Sequence, residues 1–455
     1  MSASSILGRL KALRPASGRE PTTASEARGR AAEIPEGAER LVRLLEAKIH
    51  ANEFGEYVAL RKWYAESVTD APGLGAPEGE LDPAALQLLA PKAPREIADP
   101  RQWLFLDTET TGITGGTGTY AFMVGIAWWD AGGLEVEQLF MRDYSDEHSL
   151  LVALAERIAE RPVLVTFNGK SFDWPLLETR YRMTRSIRPP ALRAHLDFLH
   201  PARNLWRLRI GSTRLAELEL KVLGWNRGSD MNSWMIPHLY FDYLRGGPPE
   251  PLLPIFHHNQ MDLRGLAALA ARTLSLLANP DEHGHDGLEL FGLSRICERR
   301  GESARARKHY AQSIDRDLPA ETDRAARSSL ARLAKRDGDF ALALKLWEEM
   351  LGNSREGLEA YEQLAIYYEH RAREPRRAAA LAQKALLELR NASRLGTIAA
   401  GAYRERRVRF EQRLARLERK SSGPLLAPCP AESRQDSDES NPDRRKGEKL
   451  HARIG

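Results

Sequence analysis

The chain predicts an α/β domain, a mixed sheet with flanking helices, followed by an all-α helical-repeat domain. Two observations lead there. From Trp103 onward, strand-length runs and amphipathic helix-length stretches follow one another as three strands, helix, strand, helix, the pattern of a sheet with helical cover. After about residue 285 the strand-like runs stop. Three similar helical segments then begin near Leu293, Leu330 and Leu364, close to the ~34-residue period of helix–turn–helix repeats.

Taken in order, residues 1–35 are rich in Ser, Ala, Arg and Glu without apolar periodicity and read as a disordered arm. Residues 36–100 read as a helical N-terminal segment and linker. Leu41, Leu44, Leu45 and Ile49 stand at helical spacing, and TDAPGLGAPEGELDP is rich in proline and glycine. The α/β domain covers 101–280. WLFLDT is an apolar strand, TYAFMVGIAWW a second, and LEVEQLFM a third that alternates. EHSLLVALAERIAE is a helix, PVLVTFN a buried strand, and SFDWPLLETRYRM a helix with Ser171 as its expected N-cap. The breakers GGPPEP precede one long helix, HHNQMDLRGLAALAARTLSLLAN. Helical repeats are expected over 285–420, with Gly301 and Gly338 at the first two turns and Arg373-Glu374-Pro375 at the third. The polar segment 421–455 reads as a disordered tail.

Bulk properties narrow the function classes. No apolar run is long enough to span a bilayer. Arg9 and Lys11 interrupt the apolar residues near the N-terminus, so no signal-peptide core is read there. The two cysteines, Cys297 and Cys429, form no CxxC pair, which excludes a cysteine-built zinc site and fits a reducing compartment. The expectation is a cytoplasmic protein without membrane partners. Lys+Arg number 67 against 63 Asp+Glu, a net charge of +4 that permits nucleic-acid binding without arguing for it.

The chemistry rests on carboxylates. Asp107 and Glu109 close the first apolar strand, where residues i and i+2 point to one face and two carboxylates can converge on one cation. Asp173 follows Asn168-Gly169-Lys170-Ser171-Phe172 at a strand–helix junction. A first-turn acid there is favoured by the helix dipole alone, or it is a third ligand at the mouth of the sheet. Asp262 sits in an otherwise apolar helix. Burial without a cation would cost several kcal/mol, so either Arg264 or a metal partners it. Gathered in one site, each carboxylate pair at ~4 Å costs about 4 kcal/mol at an effective dielectric of ~20. Mg²⁺ or Mn²⁺ removes that cost and prefers oxygen ligands.

FLDTET, N-x-x-x-F-D and H-x-x-x-D occur in this order and resemble the three exonuclease motifs of the DEDD superfamily. More narrowly, FLDTETTG through GTYAFMVGIAWW, LVTFNGKSFDWPLLETRYRM, HLDFLHPARNLWR and WMIPHLYFDYL resemble the YprB-like group of RNase H-like proteins, over about residues 100–275. The resemblance implies an RNase H-like fold and two-metal hydrolysis of phosphodiesters from a 3′ end. It implies Asp107, Glu109, Asp173 and Asp262 as ligands of two Mg²⁺ or Mn²⁺ ions. The superfamily's base is a His five residues before the last Asp or a Tyr four before it. This chain has His257 and His258 at those positions. One helical turn separates His258 from Asp262 on the same face, which points to His258. A helix beginning only after Asn259 would let His257 swing in instead. Imidazole titrates in the range that suits water activation.

Softer candidates surround this set. Thr108 and the loop Gly115-Gly116-Thr117-Gly118-Thr119 can offer N–H groups to a phosphate, or the loop is a glycine hairpin. Asn168 orients the site or makes a turn. Lys170 meets a phosphate or stays solvated. Trp234 and Tyr240 stack on a base or belong to the core. Asp197 reads as structural. Arg203, Arg207, Arg209 and Arg214 line a nucleic-acid path or a solvated helix face. The function expected is 3′→5′ degradation of single-stranded nucleic acid, with the repeats offering a surface to a protein partner. The rivals are a structure-specific endonuclease on the same fold and a non-catalytic nucleic-acid-binding scaffold.

Overall fold

A computed structural model describes residues 36–65, 79–112, 117–130, 132–228, 231–283, 286–353 and 357–421. The expected arm over 1–35, most of the tail, Cys429, and Gly115 and Gly116 of the glycine loop lie outside them. The chain divides into two compact units, Met1–Gly338 and Asp339–Gly455.

The first unit is built on a seven-stranded mixed sheet in the order β1-β2-β5-β4-β3-β6-β7. Its strands are β1 (Lys48–Asn52), β2 (Gly55–Ala65), β3 (Trp103–Thr110), β4 (Ala121–Asp130), β5 (Gly133–Phe140), β6 (Val163–Thr166) and β7 (Ala194–Asp197). Pairing is antiparallel from β1 through β3 and parallel from β3 through β7. The central strand β4 is buried at every position but its last, which explains its unbroken apolar run: both faces are covered. Helices α3 (Glu147–Glu160) and α4 (Asp173–Thr184) cover one face. There Leu154, Ile158, Leu177 and Tyr181 pack on Leu104, Leu106, Val124 and Ile126. Helices α6 (Ile236–Leu244) and α7 (Leu253–Ala278) cover the other, where Tyr240 and Phe256 meet Val58, Phe122 and Phe140. Between these elements, α5 (Leu199–Ile210) follows β7.

Residues 36–100 depart from the helical expectation. The apolar spacing does form α1 (Glu36–Leu45), but Ile49 lies in β1, not on the helix. From Lys48 the chain makes a hairpin that extends the sheet beyond β5. Its turn is fixed locally: Asn52 Oδ1 accepts from the Phe54 N–H at 3.0 Å, and Gly55 takes φ +128°, a conformation that favours glycine. A long helical window hid an eleven-residue strand, GEYVALRKWYA, whose polar residues lie on its exposed positions. A short helix α2 (Pro83–Leu89), capped by Asp82, then leads to β3.

The remaining helices form the all-α region. In the first unit, α8 (Gly287–Arg299), α9 (Ser303–Ile314) and α10 (Ala320–Arg336) pack in succession. In the second, so do α11 (Phe340–Asn353), α12 (Leu358–His370), α13 (Pro375–Arg394) and α14 (Ala400–Ser421). A left-handed residue stands in each expected turn: Gly301 at φ +81°, Gly338 at +82° and Arg373 at +56°. The third turn thus does with arginine what the first two do with glycine.

In the second unit Glu369 of α12 accepts from Arg416 at 2.8 Å, Arg413 at 2.9 Å and Lys420 at 2.9 Å, all on α14. The Arg416 hydrogen bond above all pulls its carboxyl down to about 2. A depressed carboxylate stabilises above its unfolded pKa, and that contribution fades as pH falls toward the folded value. Glu369→Ala is expected to destabilise the α12–α14 packing by about 1.5–3 kcal/mol at neutral pH. Hydrogen exchange of α12 and α14 amides in the full chain checks this, and the gap from the parent closes between about pH 4.5 and pH 2.

Candidate active site

The site begins at the C-terminal end of β3. Asp107, Gly125 and Gln138 are register partners side by side across β3, β4 and β5. The Asn259 side chain from α7 lies over the middle one. A Cβ at Gly125 would stand 2.0 Å from Asn259 Oδ1, so only glycine admits this approach. Asn259 Nδ2 donates to Asp107 Oδ2 at 2.9 Å, and Asn259 Oδ1 accepts from Gln138 Nε2 at 2.8 Å. Gln260 Nε2 donates to Gln138 Oε1 at 2.7 Å, and the Tyr64 hydroxyl donates to Gln260 Oε1 at 2.8 Å. Asn259 and Gln138 are both 0% exposed. A buried polar chain therefore runs from the N-terminal hairpin to the Asp107 carboxylate, each group satisfied as burial requires.

Glu109 is buried two residues beyond Asp107, and the pairing register with β4 shifts just after it. Asp173 comes from the β6–α4 loop. Asn168 turns that loop at φ +69°, and Asp197 gathers it. Its carboxylate accepts from the N–H groups of Asn168 at 2.8 Å, Lys170 at 3.1 Å and Leu199 at 3.0 Å, so Asp197 braces the loop. Ser171 is not the cap: the capping position belongs to Phe172, without a side-chain bond, and Asp173 opens the helix. Its Oδ1 accepts from Thr108 Oγ1 at 2.5 Å, so Thr108 holds a side chain here.

Helix α7 begins at Leu253, after a turn over Glu250–Leu252 and with a proline in its first turn. Both histidines are therefore helical. His257 is exposed, whereas His258 is buried and its Nε2 lies 3.5 Å from Asp262 Oδ2. The cation expected beside Asp262 is not Arg264, which instead stacks over Tyr64 at 4.4 Å and Trp225 at 4.9 Å. Arg227 takes that place, 2.6 Å from Asp262 Oδ1, and is gripped from behind by the fully buried Glu219. Glu219 sits on a π-helical turn over Glu219–Leu223 and needs Gly265 opposite, where a Cβ would stand 1.5 Å from its Oε1.

Electrostatically these acids form one set. Burial pushes the Asp107 carboxyl well up, and Asp262, Asp173 and Glu109 push it further, in that order. Asp173 is raised as well, by burial first, with hydrogen bonds from Thr108 opposing. An all-oxygen set of mutually repelling carboxylates suits hard divalent cations such as Mg²⁺ or Mn²⁺. Among the described residues no three His, Cys, Asp or Glu side chains are drawn together as ligands. Instead Asn259 bonds to Asp107, Thr108 to Asp173 and Arg227 to Asp262.

Of the softer candidates, Tyr240 is core: it is 0% exposed, stacks on Phe122 at 4.0 Å and bonds to the Met141 carbonyl. It cannot stack on a base. Trp234 is 62% exposed. In the glycine loop, the Thr117 carbonyl accepts from Arg180 at 2.8 Å. Arg209 pairs with Glu289 at 2.6 Å, while Arg203 and Arg207 are exposed. Sequence reading missed Asn259, Gln138, Gln260, Glu219 and Arg227. Gly125, inside an apolar strand, was the one available signal. It also missed Phe172, 58% exposed immediately before Asp173.

Fold and comparison agree on the class. A model of the RNase_H_2 family, within the RNase H superfamily, matches residues 104–274, and the mixed sheet with flanking helices is an RNase H-like domain. YprB of Bacillus subtilis (strain 168) is 30% identical over 325 residues, covering 70% of this chain and 75% of that protein. This chain belongs to the YprB family. Among solved structures, the family B DNA polymerase of the hyperthermophilic archaeon Pyrobaculum calidifontis aligns with a TM-score of 0.31 and 16% identity, covering 44% of this chain and 29% of the polymerase. Among the described residues no helix is long and apolar enough to cross a membrane.

Proposed function

We propose that the protein is a metal-dependent nuclease that degrades single-stranded nucleic acid from its 3′ end. The observation that carries this reading is where the carboxylates stand: Asp107 and Glu109 lie two apart on β3, Asp173 is tied to Thr108 between them, and Asp262 lies on α7, whose Asn259 bonds to Asp107, an arrangement costly to a protein that only binds. Asp107, Glu109, Asp173 and Asp262 would hold two Mg²⁺ or Mn²⁺ ions, which would supply charge stabilisation to an in-line phosphoryl displacement. Asn259 fixes the Asp107 rotamer. His258 takes the proton of the attacking water at Nε2, oriented by Asp262 one turn along α7. The helix pairs, read as tetratricopeptide-like, offer a surface to a protein partner.

Exposed beside Asp173, Phe172 stacks on a base of the substrate. Phe172→Ala is expected to weaken single-strand affinity by about 1–3 kcal/mol, roughly 5- to 150-fold. Fluorescence anisotropy on a labelled oligonucleotide checks this, and an unchanged affinity removes Phe172 from the interface. The reading as a whole is tested with 5′-labelled DNA and RNA single strands, free or blocked at the 3′ end, in Mn²⁺ or EDTA. A ladder shortening stepwise from free 3′ ends in Mn²⁺ alone is expected. Internal cuts in blocked strands would make the protein an endonuclease. Binding without any cleavage would make it a scaffold.

A further inference from the structure

A second charged feature lies at the edge of the sheet beside β7. A cavity of about 800 Å³ opens there, and Lys92, Lys170, Arg193, Arg203, Arg299 and Arg300 line it. The one carboxylate in its lining, Asp197, already accepts three backbone N–H groups. Some of the cations have local work. Arg300 donates to the Leu88 and Leu89 carbonyls at the end of α2, and Arg193 donates to Gln102. Lys92, Lys170 and Arg203 are exposed and have no acidic partner among the described residues. Burial and the neighbouring Arg295 and Arg300 lower the Arg299 pKa. Six cations facing one carboxylate repel one another, and in a concave site they focus a positive potential.

From this charge imbalance we infer that the cavity binds the phosphodiester backbone of a single strand whose 3′ end occupies the carboxylate site. The inference rests on the nuclease reading and adds where the strand runs. Two features favour a strand over a small anion. The cations come from five separate places: the loop after α2, the β6–α4 loop, the approach to β7, α5 and α8. Such a spread suits successive phosphates better than a single one. Lys170 also stands three residues before Asp173 on the loop that Asp197 braces, so the cavity wall and the presentation of a metal ligand are one segment.

The test uses the full chain carrying Asp107→Asn, which binds without cutting, and a fluorescent single strand of about 20 nucleotides titrated across a salt series. Lys92→Ala with Arg203→Ala is expected to lower affinity at least about tenfold at low salt. It should also flatten the plot of log affinity against log salt by about 1.4, since each lost single-strand phosphate contact contributes ~0.7. Lys384→Ala, an exposed cation on α13 outside the cavity, changes neither and controls for bulk charge. Unchanged affinity and slope in the double variant, while the parent binds and wild type cuts, would overturn the cavity assignment and leave the nuclease reading standing. Efficient displacement of the strand by a nucleoside monophosphate, lost in the double variant, would overturn it in favour of a mononucleotide site. A parent that does not bind single strands, with a wild type that does not cut them, would sink both readings together.

Discussion

On the proposed function, Asp107→Asn is expected to lower metal-dependent cleavage by at least about 10³-fold, because a bound metal would contribute several kcal/mol to the transition state, and to stabilise the metal-free protein. The two effects have one cause. In the folded state burial, Asp262, Asp173 and Glu109 all disfavour the charged form of this carboxyl. A group whose folded pKa is raised contributes its stability below the unfolded value and loses it as pH rises through the folded one. Without metal, the melting temperature of wild type should therefore fall behind that of Asp107→Asn as pH climbs from about 4 toward 8. Saturating Mn²⁺ reverses the order. At 100 times its Kd a ligand stabilises by about 2.7 kcal/mol, and the variant, lacking a ligand, gains less. Thermal melts across pH, with and without Mn²⁺, read both signs. A wild type already more stable than the variant at pH 8 in EDTA would remove the argument from repulsion.

Gly125→Ala is expected to impair the site from a residue that touches no substrate. The added Cβ would lie 2.0 Å from Asn259 Oδ1, so the amide must leave. Its exit costs overpacking strain of about 1–3 kcal/mol and leaves one buried Gln138 Nε2 proton without its acceptor, at a cost of about 1–3 kcal/mol, while the other stays on the Phe256 carbonyl at 2.9 Å. Cleavage should fall in parallel because Asp107 loses the donor that fixes it. Combining Gly125→Ala with Asn259→Ala should restore part of the stability but none of the activity, since the clash is relieved while Asp107 stays unheld. Equal stabilities for the single and double variants would mean that Asn259 does not occupy the space above Gly125.

These two residues mark where sequence reading stopped. The strand ending in Asp107 and Glu109, the junction at Asp173 and the helix carrying Asp262 were legible, because each has a local cause: an apolar run, a turn, a period. The chain from Tyr64 through Gln260, Gln138 and Asn259 to Asp107 joins residues on three strands and a helix, and no local pattern encodes such a path. Arg227 was missed because the nearer Arg264 satisfied the same charge argument. Only the fold shows that Tyr64 and Trp225 engage Arg264. The hairpin of β1 and β2 was read as helix because a few leucines set a helical phase that the strand residues after Lys48 did not continue.

Four carboxylates from β3, α4 and α7 are proposed to form one divalent-cation centre. Calorimetric titration of Mn²⁺ into the metal-free full chain, beside Asp107→Asn and Asp262→Asn, tests this most directly. Two ions per wild-type chain are expected, with at least one lost in each variant. Wild-type binding that neither substitution disturbs, or no binding at millimolar Mn²⁺, would contradict it.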